Sequence, residues 1–297
     1  MITGIALALL SVALLTLPVA NAQALTWTTV TSPTSNALNS VYCVSASDCW
    51  IVGASRTIVQ FTGSSWAMVT SPTSERLFSV FCVTASDCWA VGDSGTIIQF
   101  TGSSWTTVAN PTRQPLYSVS CVGASNCWAV GRFGTIIQYT GSSWTTVRSP
   151  TGSLLFSVFC VGASDCWAVG NPGTIIQWTG SSWAMITSPT SKSLVSVFCV
   201  AASDCWAVGT FGTIIQYTGS SWTTVTSPTS NYLLSVFVDS GWAVGLSGTI
   251  IRGDPVTTTT TATTAIPEYL LGVAVLAIFI LIAYGLIKRR TRNPKSI

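Results

Sequence analysis

The chain has 297 residues, of which only 7% are charged, against about 25% in an average domain. It holds no histidine, which removes the usual general base and the commonest nitrogen ligand for a metal. The formal charge of +3 comes from the C-terminal tail; residues 23–265 carry seven Arg or Lys against eight Asp or Glu, without the basic stripe that nucleic-acid binding needs.

Residues 1–22 are apolar through Leu17 and end in Ala20-Asn21-Ala22. They resemble a secretory signal peptide with an A-x-A cleavage site, although no Lys or Arg precedes the apolar run. Next comes a lone strand-like segment, Thr26-Trp27-Thr28-Thr29-Val30, followed by Ser-Pro-Thr-Ser at 32–35.

A block of 39 residues then repeats in phase, its Ser-Val pair falling at Ser40, Ser79, Ser118, Ser157, Ser196 and Ser235. The block that starts at Ser79 shows the pattern. SVFCV is β-branched and aromatic, CWAVG follows, then TIIQF after Gly95, then WTTV after Thr101-Gly102-Ser103-Ser104. These read as four short strands separated by turn chemistry, with Pro111 ending the block. A period near 40 with four strands per period predicts a β-propeller blade. No segment between residues 25 and 254 has a helical period.

The sixth block keeps SVFV, GWAVG and GTIIR but lacks a fourth strand. The N-terminal segment 26–30 is a fourth strand without a block. We therefore expect an all-β, six-bladed propeller over residues 23–254, its four-stranded blades closed by the N-terminal strand, which removes exposed sheet edges.

Tryptophan recurs twice per block. Trp50, Trp89, Trp128, Trp167, Trp206 and Trp242 sit in the second strand, and Trp27, Trp66, Trp105, Trp144, Trp183 and Trp222 in the fourth. One pleat position in every blade predicts packing between blades; a carbohydrate-stacking platform is the alternative.

The ten cysteines form five equally spaced pairs, Cys43/Cys49, Cys82/Cys88, Cys121/Cys127, Cys160/Cys166 and Cys199/Cys205. The sixth block loses both members together and shortens its loop to Val238-Asp239-Ser240-Gly241. Joint loss predicts local disulfides in an oxidising compartment rather than free thiols or zinc ligands. A seven-residue loop contributes roughly 2–2.5 kcal/mol per bridge in the chain-entropy model. The same loop repeats an acid, Asp48, Asp87, Asp165 and Asp204, with Asn126 in one copy. An Asx-type turn is the expected role, and calcium ligation the alternative. No metal or other cofactor is expected.

Residues 255–268 form a Thr-rich stalk suited to O-glycosylation. Residues 269–287 are apolar throughout, about 28 Å as a helix, enough for one bilayer crossing. The basic tail, 288–297, begins Lys288-Arg289-Arg290 and predicts a cytoplasmic end, hence a single-pass type I protein with its propeller extracellular. The stretch from the stalk through Ile266-Pro267-Glu268-Tyr269 and the apolar span resembles the C-terminal sorting signals of archaeal surface proteins. In those families the span can be removed and replaced by lipid; a plain membrane anchor is the default.

The unit Trp89-Ala90-Val91-Gly92, Gly95-Thr96-Ile97-Ile98, Trp105 resembles the repeats of photosystem II assembly factor-like propellers within the wider BNR (Asp-box-like) group. It is closer still to uncharacterised secreted repeat proteins with WAVG, GTI and GSSW signatures. The resemblance spans residues 26–252 and implies a propeller that works by binding. This chain departs from it in having six blades rather than seven, and in lacking the Asp-box aspartate.

Two functions follow as expectations. The first is a cell-surface binding, adhesion or envelope structural module with an extracellular protein or glycan as partner, and not an enzyme. The alternative is a sialidase-like or other glycosidase, which needs paired carboxylates. Variation between copies concentrates on the end that carries the strand two–three loops and the loops between blades. The candidate ligand-binding residues there are Arg56, Glu75, Arg76, Asp93, Arg113, Arg132, Phe133, Lys192, Phe211 and Tyr232. Loops on a rigid scaffold are where recognition usually resides, and drift between copies is the alternative.

Overall fold

A computed structural model describes residues 29–238 and 241–253. Every repeat folds as one antiparallel sheet in sequential strand order, five of four strands and one of three. They form blades one (38–68), two (77–107), three (116–146), four (154–185), five (194–225) and six (233–252). Blade two shows the layout: Leu77–Thr84, Asp87–Gly92, Ile97–Phe100 and Trp105–Thr107. Blades one to four fall in one compact unit and blades five and six in another.

The period-two pattern of the second strand builds the core of the first unit. Side chains alternate across a strand, so Trp and Val of WAVG face one way and Cys and Ala the other. Trp50, Val52 and Ile58 of blade one pack against Leu77, Val80, Cys82, Cys88, Ala90, Ile98, Phe100 and Trp105 of blade two. Trp89, Val91 and Ile97 repeat the contact on blade three, and Trp128, Val130 and Ile136 on blade four. In this unit Trp50, Trp89, Trp105, Trp128, Trp144, Trp167 and Trp183 are buried core residues, Trp66 is half-buried, and Trp27 lies outside the described residues. Each second-strand indole stands edge-on to the next blade's fourth-strand indole: Trp50 to Trp105, Trp89 to Trp144 and Trp128 to Trp183, at 5.2, 5.3 and 5.2 Å between centroids.

The Ser-Val signature also acquires a reason. Ser40 Oγ accepts the Val80 amide at 3.2 Å, Ser79 Oγ that of Val119 at 3.2 Å, and Ser118 Oγ that of Val158 at 3.1 Å. The innermost strands of neighbouring blades share no backbone ladder, so a hydroxyl satisfies the facing N–H. Glycine of WAVG has a second constraint. A Cβ on Gly131 would run into the Pro115 carbonyl of its own blade's entering segment.

In the second unit, Ser196 Oγ accepts the Val236 amide at 3.3 Å, and Val208 packs on Leu233, Val236 and Ala243 of blade six. Trp206 is only half buried, and its Nε1 donates to Asp204 Oδ1 at 2.9 Å. Blade six shows three strands among the described residues. The strand expected to complete it covers residues 26–30; Thr29 and Val30 are not in a strand, and 26–28 lie outside the described residues. The signal segment, stalk, apolar span 269–287 and tail also lie outside them. Among the described residues no helix is long and apolar enough to cross a membrane.

All five cysteine pairs are bonded within their own blade: Cys43–Cys49, Cys82–Cys88, Cys121–Cys127, Cys160–Cys166 and Cys199–Cys205. Each bridge runs directly across the first two strands, between residues paired in register. The second-strand members, Cys49, Cys88, Cys127, Cys166 and Cys205, are all buried, and in blades two to five they lie on the same face of that strand as the core alanine of WAVG. The first-strand members Cys82, Cys121, Cys160 and Cys199 are buried too, and only Cys43 is exposed. The second-strand sulfurs also lie against the turn. Sγ of Cys49, Cys88 and Cys205 comes within 3.7 Å of the carbonyl four residues upstream, that of Cys127 within 3.8 Å and that of Cys166 within 3.9 Å. A bonded sulfur carries no proton, so these are packing contacts and not hydrogen bonds.

The Asx-turn expectation is corrected. Asp87 Oδ1 accepts the Gln99 side-chain amide at 3.0 Å, and Asp165 and Asp204 accept Gln177 and Gln216 at 3.1 Å. The carboxylate ties strand two to strand three, where Gln stands directly opposite Trp in register. In blades one and two the turn itself is held by a hydroxyl, Ser47 N–H to Ser45 Oγ and Ser86 N–H to Thr84 Oγ1, both at 3.3 Å.

Candidate recognition surface

The loops after the second strand are tight turns built on left-handed residues. In blade two, Ser94 has φ 56° and Gly95 φ 72°, and the Thr96 amide donates to the Asp93 carbonyl at 2.9 Å. Two successive positive φ values make a type I′ turn, which suits strand twist and favours Gly at the second position. Blades three, five and six repeat it at Phe133-Gly134, Phe211-Gly212 and Ser247-Gly248. Blade one places Ser55-Arg56 there, with Arg56 in the glycine position at φ 64°. Blade four uses Asn171-Pro172-Gly173, with a cis peptide bond before the proline.

These turns meet the loops between blades. The Asp93 amide donates to the Arg76 carbonyl at 2.9 Å, and the Arg132 amide to the Pro115 carbonyl at 3.0 Å. A Cβ on Gly95 would meet the carbonyl of Thr112, beside Arg113. Arg56, Glu75, Arg76, Asp93, Arg113, Arg132 and Phe133 therefore share one end of the first unit. Lys192, Phe211 and Tyr232 share the corresponding end of the second, where Thr210 N–H bonds the Ser193 carbonyl at 3.0 Å and Leu246 N–H the Tyr232 carbonyl at 2.8 Å.

Charge is sorted by sign between the two ends, and Arg148 adds to the loop-end cations that the sequence placed there. In the first unit Arg56, Arg76, Arg113, Arg132 and Arg148 all lie at the loop end, with Glu75 and Asp93, giving 5 − 2 = +3. The disulfide end holds Asp48, Asp87 and Asp165 and no Lys or Arg, giving −3. Arg148 joins the surface because it follows the fourth strand of blade three. Among the described residues no carboxylate lies within ion-pair distance of these five guanidiniums.

Two of these cations, and Lys192 of the second unit, rest on a ring or an amide instead. Arg76 lies over Phe78 at 5.0 Å and donates to Asn39 Oδ1 at 3.0 Å. Arg132 lies over Phe133 at 4.6 Å, and Lys192 over Phe211 at 4.7 Å. Among the described residues no three acids or cysteines gather as a metal would require. A groove of about 120 Å³ on blade one is lined by Val30, Pro33, Leu38, Ile51, Val59 and Trp66, among others, with no titratable side chain.

No protein-family profile matches this chain, and no curated protein matches it significantly. Solved structures do. The WD40 repeats of RRP9 align with a TM-score of 0.61 at 9% identity, covering 72% of this chain and 74% of that one. The fold is a β-propeller. U3-55K aligns with a TM-score of 0.60 at 9% identity, over 72% of this chain and 75% of that one. YCF48 bound to D1 peptide gives a TM-score of 0.43 at 17% identity, over 76% of this chain and 96% of that one. At these identities the likeness concerns fold alone.

Proposed function

We propose that this propeller is a binding module of the cell envelope that captures an anionic partner on its loop end. The observation that carries the reading is the sorting of charge, +3 at the loop end of the first unit against −3 at the disulfide end. Unpaired surface guanidiniums steer and hold anions, whereas a random scatter of charge would not. The five disulfides support an oxidising compartment. The N-terminal segment, Thr-rich stalk, apolar span and basic tail support display outside a membrane as a single-pass type I protein. The resemblance of the repeat to photosystem II assembly factor-like and secreted WAVG propellers supports binding over catalysis, and no observation favours the glycosidase reading.

The test is capture from native envelope fractions by the full chain in a neutral detergent. Arg56→Ala with Arg132→Ala should weaken capture, and Ser64→Ala with Ser142→Ala at the opposite end should not. Loss only with the serine pair would place recognition at the wrong end. Turnover on a panel of glycosides would overturn the binding reading in favour of a hydrolase.

A further inference from the structure

Two loop-end turns carry phenylalanine where the backbone is left-handed, Phe133 at φ 56°, ψ 37° and Phe211 at φ 57°, ψ 38°. That conformation is strained for a bulky side chain. Core packing offers no compensation, since the two side chains are 60% and 59% exposed. The turn does not need an aromatic residue, because blades two and six place Ser94 and Ser247 at the same position with closely similar φ.

Each ring carries a cation over one face. The Arg132 guanidinium lies 4.6 Å from the centre of Phe133, and Lys192 Nζ lies 4.7 Å from that of Phe211. Tyr232, itself exposed, meets Phe211 edge-on at 5.2 Å. Neither cation has a carboxylate partner among the described residues. Each turn thus offers apolar ring surface next to an uncompensated positive charge, and each pair lies within its own unit.

We propose that Arg132/Phe133 and Lys192/Phe211/Tyr232 are two subsites for the carboxylated sugar units of an acidic polysaccharide. A pyranose presents an apolar C–H face that stacks on a ring, while its carboxylate takes a charge-assisted contact from the neighbouring Arg or Lys. A neutral glycan would need the ring but not the cation. A purely acidic chain would need the cation but not a strained, exposed phenylalanine. The same pairing of ring and cation recurs once in each unit, and each subsite carries the argument by itself. The proposal rests on the loop end being the recognition surface and adds the chemical class of ligand.

The experiment titrates the full chain in neutral detergent, at fixed salt, with polygalacturonate, dextran and polyglutamate. Polygalacturonate should bind, dextran should not, and polyglutamate should bind about tenfold more weakly or worse. Phe133→Ser with Phe211→Ser installs the residue already present in blades two and six. It should leave the circular dichroism spectrum unchanged and lower the polygalacturonate affinity about tenfold or more. Absence of polygalacturonate binding, equal binding of polyglutamate, or an unaffected double variant would each overturn the sugar assignment. If envelope capture still depended on Arg56 and Arg132 in that case, the loop-end reading would stand without it.

Discussion

Trp50 meets Trp105 edge-on across the seam between blades one and two, with centroids 5.2 Å apart and planes at 83°. Phe100 closes the same contact at 4.7 Å from Trp50. T-shaped pairs align the positive edge of one ring with the negative face of another. The geometry also bears on a cost. The indole N–H groups of Trp50, Trp89, Trp105, Trp128, Trp144 and Trp183 are buried with no hydrogen-bond acceptor among the described residues. An edge directed at a ring face returns part of what a missing acceptor loses.

Replacing Trp89 by alanine should therefore cost about 3–5 kcal/mol, as a large-to-small core change. Trp89→Phe should cost less than half of that, because it keeps the ring contact and removes a buried donor that has no acceptor. Urea unfolding of the full chain, followed by tryptophan fluorescence, checks both. Equal losses would mean that indole shape, rather than ring burial, holds the seam.

Ser79→Ala should destabilise by about 1–3 kcal/mol, since the Val119 amide loses its acceptor in a part-buried site. The effect should be local. Hydrogen exchange at Val119 should accelerate, while exchange within the ladder of blade two stays slow. No change at Val119 would show that another acceptor replaces the hydroxyl.

Non-reducing peptide mapping of the native protein should recover five bridges, each within one blade. Removing one bridge as Cys82→Ala with Cys88→Ala should cost roughly 2–2.5 kcal/mol from chain entropy, plus the packing lost from the core between blades. Blade six folds without a bridge, so the variant should still fold. Bridges between blades, or free thiols, would refute the pairing.

Gly131→Ala should destabilise by about 1–3 kcal/mol, as an overpacking change, because its Cβ would meet a backbone carbonyl that cannot swing away. Gly152→Ala, where nothing lies within 4 Å of the added carbon, should be close to neutral. Thermal denaturation of the two variants side by side decides the point. Similar melting temperatures would show that the Pro115 segment yields easily.

The repeat alone specified the sheets. A 39-residue period with alternating apolar positions and turn residues at constant offsets leaves one blade per block, because side-chain period and turn chemistry are local properties. The cysteine pairs were legible for the same reason, as partners six residues apart across a single turn. Their burial was not, since the neighbouring blade that covers Cys127 or Cys166 is distant in sequence. What residues 40 apart do to each other was equally hidden. Ser79 reads as an ordinary strand serine until the fold brings the Val119 amide to it. Asp87 reads as a turn former until register places Gln99 within 3.0 Å. The charge balance of residues 23–265 looks nearly neutral in the chain; the loop assignments already set Arg56 and Arg113 apart from Asp48, Asp87 and Asp165, and the fold adds Arg148 to the same end. Composition adds charges without direction, whereas strand direction decides at which end of a blade each one emerges.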